Sequence, residues 1–524
     1  MRSPWLKLSK KTHPELPLEP PIRLGNMSNG EFFHEQTRAE RRTKKLILER
    51  ADENARRLGI DRREFLASAM GMATSLSVLN MVSGCGSNET DSGSGGSSGS
   101  SGDGGYVVPD GATLDCEQAE DVLDTSDLFI FDIQTHHIEE DGPWRKTNPG
   151  SGEALANFFA SISGCALPNT IDCVDARAYL EKIFVESDTT VAVLSGFPAP
   201  LCTPERTSGC GAAIDNDQMA RSRDHVNAIA RSQRVVQHCQ VNPNDRLDLP
   251  LAIMDRIHAE YGVAGWKVYP PWGPEGPGWF LDDEAVGIPF IEKARALDVK
   301  VICIHKGIVF PGWDATTADP RDVGVVAKLY PDTKFIVYHS AIEFGGGAEG
   351  PYNAANPAGI DRLIKTVHDN GLGEGSNVYA ELGSVWAQVM NDPVAAQHVI
   401  GKLLANLGED NVLWGSECIW FGSPQPQIQA FQAFQISTQF QEDYGYPALT
   451  PAIKSKIFGR SAAAIYGIDP DATRCRIRSD DLAMLKRARD DELGAGRFTL
   501  HSQGGPRTRR EFLRYASFTG GKPG

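Results

Sequence analysis

Eight short apolar runs recur along the chain from about residue 128, and each is rich in β-branched and aromatic residues. The runs are nearly continuous rather than alternating, which is typical of parallel strands buried on both faces. They span 128–134, 189–195, 235–241, 264–270, 300–305, 334–339, 377–382 and 411–416. Segments of helical spacing separate them, such as EAVGIPFIEKARALD. This α/β alternation over about 290 residues predicts a (β/α)₈ TIM barrel, with a doubly wound open sheet as the alternative.

Polar residues at the ends of six of these runs indicate where a site would form. In a parallel barrel the carboxyl ends of all strands meet at one mouth, where TIM-barrel active sites are built. The polar residues at or just after the run ends are Gln134, His136, Lys267, His305, His339, Glu381 and Glu417. A single histidine at a strand end is more often a core or loop residue, but their joint occurrence favours a common site. Glu381 alone is interpreted as a satisfied interior carboxylate.

Four of these residues form a predicted metal site. Imidazole and carboxylate groups are typical ligands of zinc, manganese and iron. Residues two apart on a strand face the same side, so Gln134 and His136 are expected to face one ion together. His305 would add a nitrogen from across the barrel, and Glu417 would reach the ion or a water bound to it. We therefore predict one divalent metal ion, with zinc as the first expectation and manganese or iron as alternatives.

The other predicted roles concern catalysis and substrate binding. Glu417 is the expected base, and His339 would orient substrate or stabilise developing charge. Lys267 would neutralise a substrate carboxylate or oxyanion, although a salt bridge at the barrel mouth explains it equally well. Trp272 and Trp420 lie in Pro/Gly-rich loops after the fourth and eighth runs. They are predicted to line a pocket for a flat or apolar ligand, with loop packing as the alternative.

Several motifs around these residues resemble one known family. They are DIQTHH (132–137), GWKVYP (265–270), CIHKG (303–307), YHS (338–340), WGSE (414–417) and IFGRSAAAIYG (457–467). They resemble the first-strand D-x-H-x-H, the fourth-strand G-x-K-x-x-P, the fifth- and sixth-strand histidines, the eighth-strand G-[ST]-D and the closing helix of the amidohydrolase-related (amidohydrolase 2) family. That family consists of metal-dependent TIM-barrel enzymes of the amidohydrolase superfamily. The resemblance runs roughly from Leu128 to Gly467.

The resemblance implies one metal ion held by His136 and His305. It also implies either hydrolysis of esters, lactones or amides, or decarboxylation of aromatic and unsaturated acids. Two residues depart from the family pattern at the metal site. Gln134 stands where the family has its first histidine, and Glu417 stands where it has an aspartate.

We predict an enzyme that hydrolyses a small ester, lactone or amide through metal-activated water. A decarboxylase of the same family is one alternative. A non-catalytic exported binding protein with a degenerate metal site is another, and Gln134 is its main support. A third is metal-free acid–base catalysis by His305, His339 and Glu417. A small molecule is the expected partner, and the sequence leaves homo-oligomers open.

Composition and charge narrow the range of partners. The hydrophobic content of 41% and charged content of 23% are those of a soluble globular protein. Fifteen basic and ten acidic residues precede Cys85, so this segment has a net charge of +5. The whole chain has a net charge of −16, and the remainder therefore carries −21. A protein region this acidic binds the phosphate backbone of nucleic acid poorly. Nucleic acid is therefore not an expected partner.

The first 85 residues resemble a twin-arginine export signal. Arg62 and Arg63 form the arginine pair in DRREFL, and the uncharged apolar stretch 65–82 follows. The sequence VSGC resembles a lipobox in which Cys85 would be lipidated. The predicted location is therefore the periplasm or cell surface, with membrane contact only through this anchor. A disordered arm with one hydrophobic helix is the alternative.

The remaining chain divides by composition. A Gly/Ser-rich stretch predicts a flexible linker, and the RREFLRYASF segment near the end predicts a short amphipathic helix. The predicted divisions are signal 1–85, linker 86–110, barrel 111–475 and C-terminal helical tail 476–524.

Ten cysteines fit an exported protein. Cys165 with Cys173, and Cys202 with Cys210, can each close a short disulfide loop, although the sequence does not fix the connectivity. Cys239 and Cys303 lie in apolar runs and are expected to be buried.

Overall fold

Eight parallel strands form a barrel in the order in which they occur along the chain. The computed structural model describes residues 18–25, 35–84, 105–163, 165, 169–274, 276–343 and 349–493. The strands are β1 (Phe131–Thr135), β2 (Val191–Leu194), β3 (Val235–Gln240), β4 (Gly265–Val268), β5 (Val301–His305), β6 (Lys334–Tyr338), β7 (Val378–Glu381) and β8 (Val412–Leu413). Backbone hydrogen bonds join β1 to the segment of β8, among them Glu417 N–H to Gln134 O at 2.9 Å. The predicted TIM barrel is confirmed.

Helices precede, separate and follow the strands. Before the barrel lie α1 (Arg38–Leu58), α2 (Arg62–Leu66), α3 (Ala69–Gly84) and α4 (Cys116–Leu123). Between the strands lie α5 (Trp144–Thr147), α6 (Pro149–Ser163), α7 (Ala176–Leu180), α8 (Asn216–Ala230), α9 (Asp248–Tyr261), α10 (Gly287–Ala296), α11 (Arg321–Leu329), α12 (Ile360–Asp369), α13 (Val385–Val389) and α14 (Pro393–Leu407). After β8 lie α15 (Gln425–Ala433), α16 (Thr438–Tyr444), α17 (Pro451–Ser455), α18 (Ser461–Tyr466), α19 (Pro470–Ile477) and α20 (Asp481–Leu493).

The inside of the barrel is a packed core. Alternate residues of the strands meet there, including Phe131, Val193 and Ile336. Tyr466 of α18 enters this core, and its hydroxyl lies 2.8 Å from Nε2 of His238 on β3. The barrel is therefore filled by side chains below its mouth, as TIM barrels are.

The apolar segment predicted to belong to an export signal is part of the folded core. Phe65 and Leu76 are fully buried in the same apolar cluster as the outer face of the barrel. Their helices, α2 and α3, pack with α1, and α3 also contacts α4, α14 and α15. None of the helices that the structure describes is long and apolar enough to cross a membrane. Export and lipidation stay predictions, since Cys85 lies outside the described residues.

The end of the segment predicted as a linker packs against the barrel. Tyr106 is buried, pairs with Phe434 in an antiparallel bridge and donates its hydroxyl to the carbonyl of Met390. Asn80 of α3 exchanges two side-chain hydrogen bonds with the Tyr106 backbone. The end of the predicted linker therefore contacts both the barrel and α3, and the predicted domain divisions stay predictions. The rest of the predicted linker, 86–104, lies outside the described residues, as does the RREFLRYASF segment.

Both cysteine pairs singled out in the sequence form disulfides. Cys165 is bonded to Cys173, and Cys202 is bonded to Cys210. Each bond closes a loop of the kind that stabilises irregular segments. The predicted burial of Cys239 and Cys303 as free thiols is also confirmed.

Candidate active site

The carboxyl ends of the strands bring the predicted site residues together in the barrel mouth. All of them are buried: Gln134, His136, Lys267, His305, His339 and Glu417. In-register pairing of β5 with β6 sets His305 opposite Tyr338, so that His339 follows immediately beside it. Burial holds the pKa of the His339 imidazole well below its ordinary value, and the nearby charges of Lys267 and His136 lower it further.

The rings of His305 and His339 face each other with two unprotonated nitrogens. Nε2 of His305 lies 2.8 Å from the Ile308 carbonyl, and Nδ1 of His339 lies 2.9 Å from the Gly383 carbonyl. A ring nitrogen bound to a carbonyl must carry the proton, which fixes both tautomers. The other two nitrogens, Nδ1 of His305 and Nε2 of His339, are 3.2 Å apart. Burial lowers the pKa of both rings, so two lone pairs are directed at each other.

His136 and Gln134 lie at the carboxyl end of β1 and contact different neighbours. Nδ1 of His136 lies 2.7 Å from the Ser195 carbonyl, and its Nε2 is buried without a hydrogen-bond partner among the described residues. Burial lowers the pKa of His136 to about 3, so this nitrogen also presents a lone pair. Gln134 lies beside Gly383, and its Oε1 is likewise buried without a partner. His137, the residue that follows His136, packs against Tyr179.

Two carboxylates lie among these groups. Both oxygens of Glu381 accept backbone N–H bonds, from His339 at 3.0 Å and from Gly383. Burial raises the pKa of Glu381 to about 8. Glu417 accepts a hydrogen bond from the Ser384 hydroxyl, and its Oε2 lies 3.7 Å from Nδ1 of His339. The interpretation of Glu381 as a satisfied interior carboxylate agrees with these contacts.

Lys267 is a buried amine without a hydrogen-bond partner. Its Nζ lies 3.4 Å from the ring centre of Tyr338 and 4.7 Å from that of Tyr269. Burial lowers the pKa of Lys267 to about 7, and the charges of Glu381 and Glu417 oppose that shift. The salt bridge considered for Lys267 is not formed within the described parts of the chain. The amine therefore changes charge near neutral pH.

Backbone strain is concentrated in the same mouth. Three consecutive residues after β6 have left-handed φ values: His339 at 62°, Ser340 at 48° and Ala341 at 57°. Ser384 and Glu417 also have positive φ, at 59° and 57°. Such conformations in residues other than glycine persist only where the surroundings hold them, and they cluster at functional sites. The sequence carries no pattern that would have revealed this strain.

Aromatic rings surround the histidines. Trp420 stacks on Phe159 with ring centres 3.9 Å apart, and on His136 at 5.6 Å. The sequence did not single out Phe159, which comes from α6, or Trp313, whose ring centre lies 5.3 Å from that of His305. Their positions in a helix and a loop gave no signal. Trp272 is buried, but within the described ranges its ring does not stack on a site histidine.

The donor set fits a metal ion, although no ready-made cluster is present. Across the described ranges, no group of three or more His, Cys, Asp or Glu side chains is arranged to hold a metal ion. The 3.2 Å between the facing nitrogens of His305 and His339 is close to the separation of about 3.3 Å expected for two nitrogens on one tetrahedral zinc. Without a cation or proton between them, two acceptors at this distance repel each other. Those two rings therefore suit a shared cation.

The amidohydrolase family model, "Amidohydro_2: Amidohydrolase", matches residues 210–468. Residues 210–468 belong to this amidohydrolase family. The match covers β3 to β8 and the closing helix α18, and thus includes Lys267, His305, His339 and Glu417. The comparison with curated proteins gave no match.

Thirty-one chains of solved structures are similar to this one. An uncharacterised TIM-barrel protein from Bordetella bronchiseptica is 12% identical over 65% of this chain and 100% of that chain, with a TM-score of 0.42. Amidohydrolase 2 from Bifidobacterium longum subsp. infantis is 15% identical over 65% and 100%, with a TM-score of 0.34. A 2,6-dihydroxybenzoate decarboxylase in complex with 2,6-dihydroxybenzoate is 13% identical over 65% and 99%, also with a TM-score of 0.34. With TM-scores below 0.5, these similarities carry no argument about activity.

Proposed function

We propose that this member of the amidohydrolase family is a metal-dependent hydrolase of small esters, lactones or amides. The observation that carries the proposal is the 3.2 Å approach of two lone pairs, on Nδ1 of His305 and Nε2 of His339. Carbonyl partners fix the opposite nitrogen of each ring as a donor, so the pair is prepared for a cation.

We assign three imidazole nitrogens to the metal. His305 and His339 would hold the ion between them, and His136 would offer its unpartnered Nε2. The amide oxygen of Gln134 is a weaker donor, and Glu417 supplies a carboxylate. Zinc is the first candidate because nitrogen-rich sites with a carboxylate suit it, with manganese or iron as alternatives. When bound, the ion would lower the pKa of a coordinated water and polarise a substrate carbonyl.

The protein's own groups would position substrate and move protons. Glu417 is the proposed base, and the Ser384 hydroxyl holds its carboxylate. Lys267, with a pKa of about 7, would contact a carboxylate or oxyanion of the substrate when protonated. The Trp420 ring, stacked on His136, would form one wall of the substrate site. The aromatic surroundings exclude water and strengthen electrostatic contacts inside the mouth.

The test is metal analysis of the full chain, purified without chelator and without a histidine tag, followed by a substrate screen. We expect about one zinc, manganese or iron per chain. The screen would use aryl esters, lactones and anilides, with carbon dioxide release from aromatic acids measured in parallel. Carbon dioxide release without hydrolysis would replace the hydrolase with a decarboxylase. Absence of metal after reconstitution would sink the metal-dependent mechanism and favour a binding protein or metal-free catalysis.

We further propose that the protein is exported and anchored by a lipid at Cys85. The two disulfides support an oxidising compartment. The buried position of α3 requires that its apolar residues leave the folded core before they act as a signal. Fractionation of cells expressing the full chain and a Cys85→Ser variant tests this proposal. Wild type in the membrane fraction and the variant in the soluble periplasm is the expected result, and cytoplasmic retention of both would overturn it.

A further inference from the structure

The turn that carries His339 is strained and needs an external support. His339, Ser340 and Ala341 are all in the left-handed region, which is unfavourable for residues other than glycine. The turn therefore would not keep this conformation on its own.

The end of β7 supplies the support. The carboxylate of Glu381 accepts the His339 N–H at 3.0 Å, and the Glu381 carbonyl accepts the Ser340 hydroxyl at 2.8 Å. The second carboxylate oxygen accepts the N–H of Gly383. The Gly383 carbonyl in turn accepts Nδ1–H of His339 at 2.9 Å. One carboxylate thus fixes both the backbone that carries the His339 ring and the backbone that receives its proton.

Two glycines make room for this carboxylate. A Cβ on Gly415 would lie 1.6 Å from Oε1 of Glu381, and a Cβ on Gly383 would lie 2.5 Å from the same oxygen. Neither glycine has a positive φ, so the requirement for glycine here is one of space rather than of backbone freedom. The neighbouring strands are shaped around the Glu381 side chain.

We propose that Glu381 is a positioning residue that holds the His339 ring in the tautomer and orientation that point its Nε2 at His305. This inference deepens the proposed function, since it rests on His339 as a metal ligand there. Glu381 acts on the metal through His339. Supporting residues of this kind typically change metal affinity by 10–100-fold when they are altered.

The test substitutes Glu381→Gln in the full chain and measures two properties. Glutamine keeps the size but offers one acceptor oxygen in place of two, so one of the two N–H donors loses its partner. Nitrogen-15 NMR of labelled histidine in the metal-free protein reports the His339 tautomer, assigned with His339→Gln. We expect a single Nδ1–H form in wild type and a mixture in Glu381→Gln. Competition with a chelator should show zinc binding weakened by about 10–100-fold.

Asp361→Asn is the matched control. Asp361 is a buried carboxylate that accepts from Lys402 Nζ at 2.8 Å and from the Asn353 N–H at 3.0 Å, away from the site. It should lower stability while leaving the His339 tautomer and zinc affinity unchanged.

A folded Glu381→Gln protein with the wild-type tautomer and a zinc affinity within twofold of wild type would overturn the proposal. If Glu381→Gln does not fold, Ser340→Ala decides instead. It removes one hydrogen bond of the same turn, from the Ser340 hydroxyl to the Glu381 carbonyl. The His339 tautomer and the zinc affinity should both shift in the same direction by a smaller amount. If neither changes, the proposal is also overturned. If wild type binds no zinc, the proposed function fails, and the tautomer alone then decides the role of Glu381.

Discussion

Two buried lysines on neighbouring parts of the barrel differ in one respect, the presence of partners. Lys306 and Lys267 are both fully buried. Nζ of Lys306 donates to the carbonyls of Thr317 and Asp319 and lies 2.9 Å from the carboxylate of Asp322. Nζ of Lys267 has no hydrogen-bond partner in the described chain and lies over aromatic rings. Burial alone therefore does not distinguish the two lysines, whereas the presence or absence of a partner for Nζ does.

The buried histidines divide in the same way. In the barrel interior, Nδ1 of His238 lies 2.9 Å from the Ser195 hydroxyl and Nε2 lies 2.8 Å from the Tyr466 hydroxyl. At the mouth, His136 and the facing pair His305 and His339 each have one nitrogen fixed by a carbonyl and the other left without a donor. Both nitrogens of His238 are thus satisfied within the fold, whereas each of the three mouth histidines keeps one nitrogen available to a ligand.

The largest expected contrast is between Lys306→Met and Lys267→Met. The first change leaves the carboxylate of Asp322 buried without its cation and should lower the free energy of unfolding by about 3–5 kcal/mol. The second removes no hydrogen bond and relieves the cost of a buried amine, so the loss should be below about 1 kcal/mol. Urea denaturation of both variants, metal-free, measures the contrast. Equal losses would show that Lys267 is a structural group like Lys306.

A second contrast compares His238→Phe with His305→Phe. Loss of His238 removes one hydrogen-bond partner from each of the Ser195 and Tyr466 hydroxyls and should lower the free energy of unfolding by about 1–3 kcal/mol. Its bound zinc should be retained. His305→Phe should lose zinc and should lower the unfolding free energy of the metal-free protein by less than His238→Phe does, because it removes one hydrogen bond, to the Ile308 carbonyl, and relieves the repulsion with His339. Elemental analysis and denaturation check both, and zinc retained by His305→Phe would contradict the assignment of the facing pair.

The lowered pKa of Lys267 predicts a particular dependence of stability on pH. The folded pKa is about 7, against an ordinary value of 10.5, so the unfolded chain binds more protons between these limits. Stability therefore rises with pH in that window, by at most about 1.4 kcal/mol per pH unit from this group. Glu381, with its folded pKa raised to about 8 from 4.5, acts oppositely but only below pH 8.

Between pH 8 and pH 10 the contribution of Lys267 to the pH dependence of stability is separated from that of Glu381, which acts below pH 8. In that range the metal-free wild type should gain stability relative to Lys267→Met as pH rises, measured by urea denaturation at each pH. Parallel curves for the two proteins would mean that Lys267 titrates near its ordinary pKa.

The barrel was predictable because burial on both faces leaves a direct trace in the sequence. Eight continuous runs of β-branched and aromatic residues contain seven of the strands and all of β1 except Thr135, and their ends identified His305 and His339. Tautomers, strain and the facing lone pairs could not be predicted, because they depend on carbonyls such as Ile308 O and Gly383 O from separate loops.

The N-terminal segment illustrates a different limit. An uncharged apolar stretch such as 65–82 has the same composition whether it is a signal or a helix buried in a core. The tertiary contacts of α3 with α14 and α15, which decide its folded position, leave no local pattern. The prediction of a signal and the observed burial of Phe65 and Leu76 therefore concern different states of one segment.

The smallest expected effect concerns Gln134, the residue that departs most from the family pattern. Its Oε1 is buried without a partner, and an imidazole is a stronger ligand than a carboxamide oxygen. Gln134→His should therefore tighten zinc binding by about tenfold, which corresponds to about 1.4 kcal/mol. Competition with a chelator measures the change.

Gln134→Leu is the matched control, since leucine fills a similar space without a donor. If the amide oxygen helps to hold the ion, Gln134→Leu should weaken zinc binding severalfold while Gln134→His strengthens it. If neither variant changes the affinity, the ion is held on the side of His305 and His339 alone. Gln134 would then be a packing residue like those of the barrel interior. The boundary between the ligand-binding mouth and the packed interior would lie within β1.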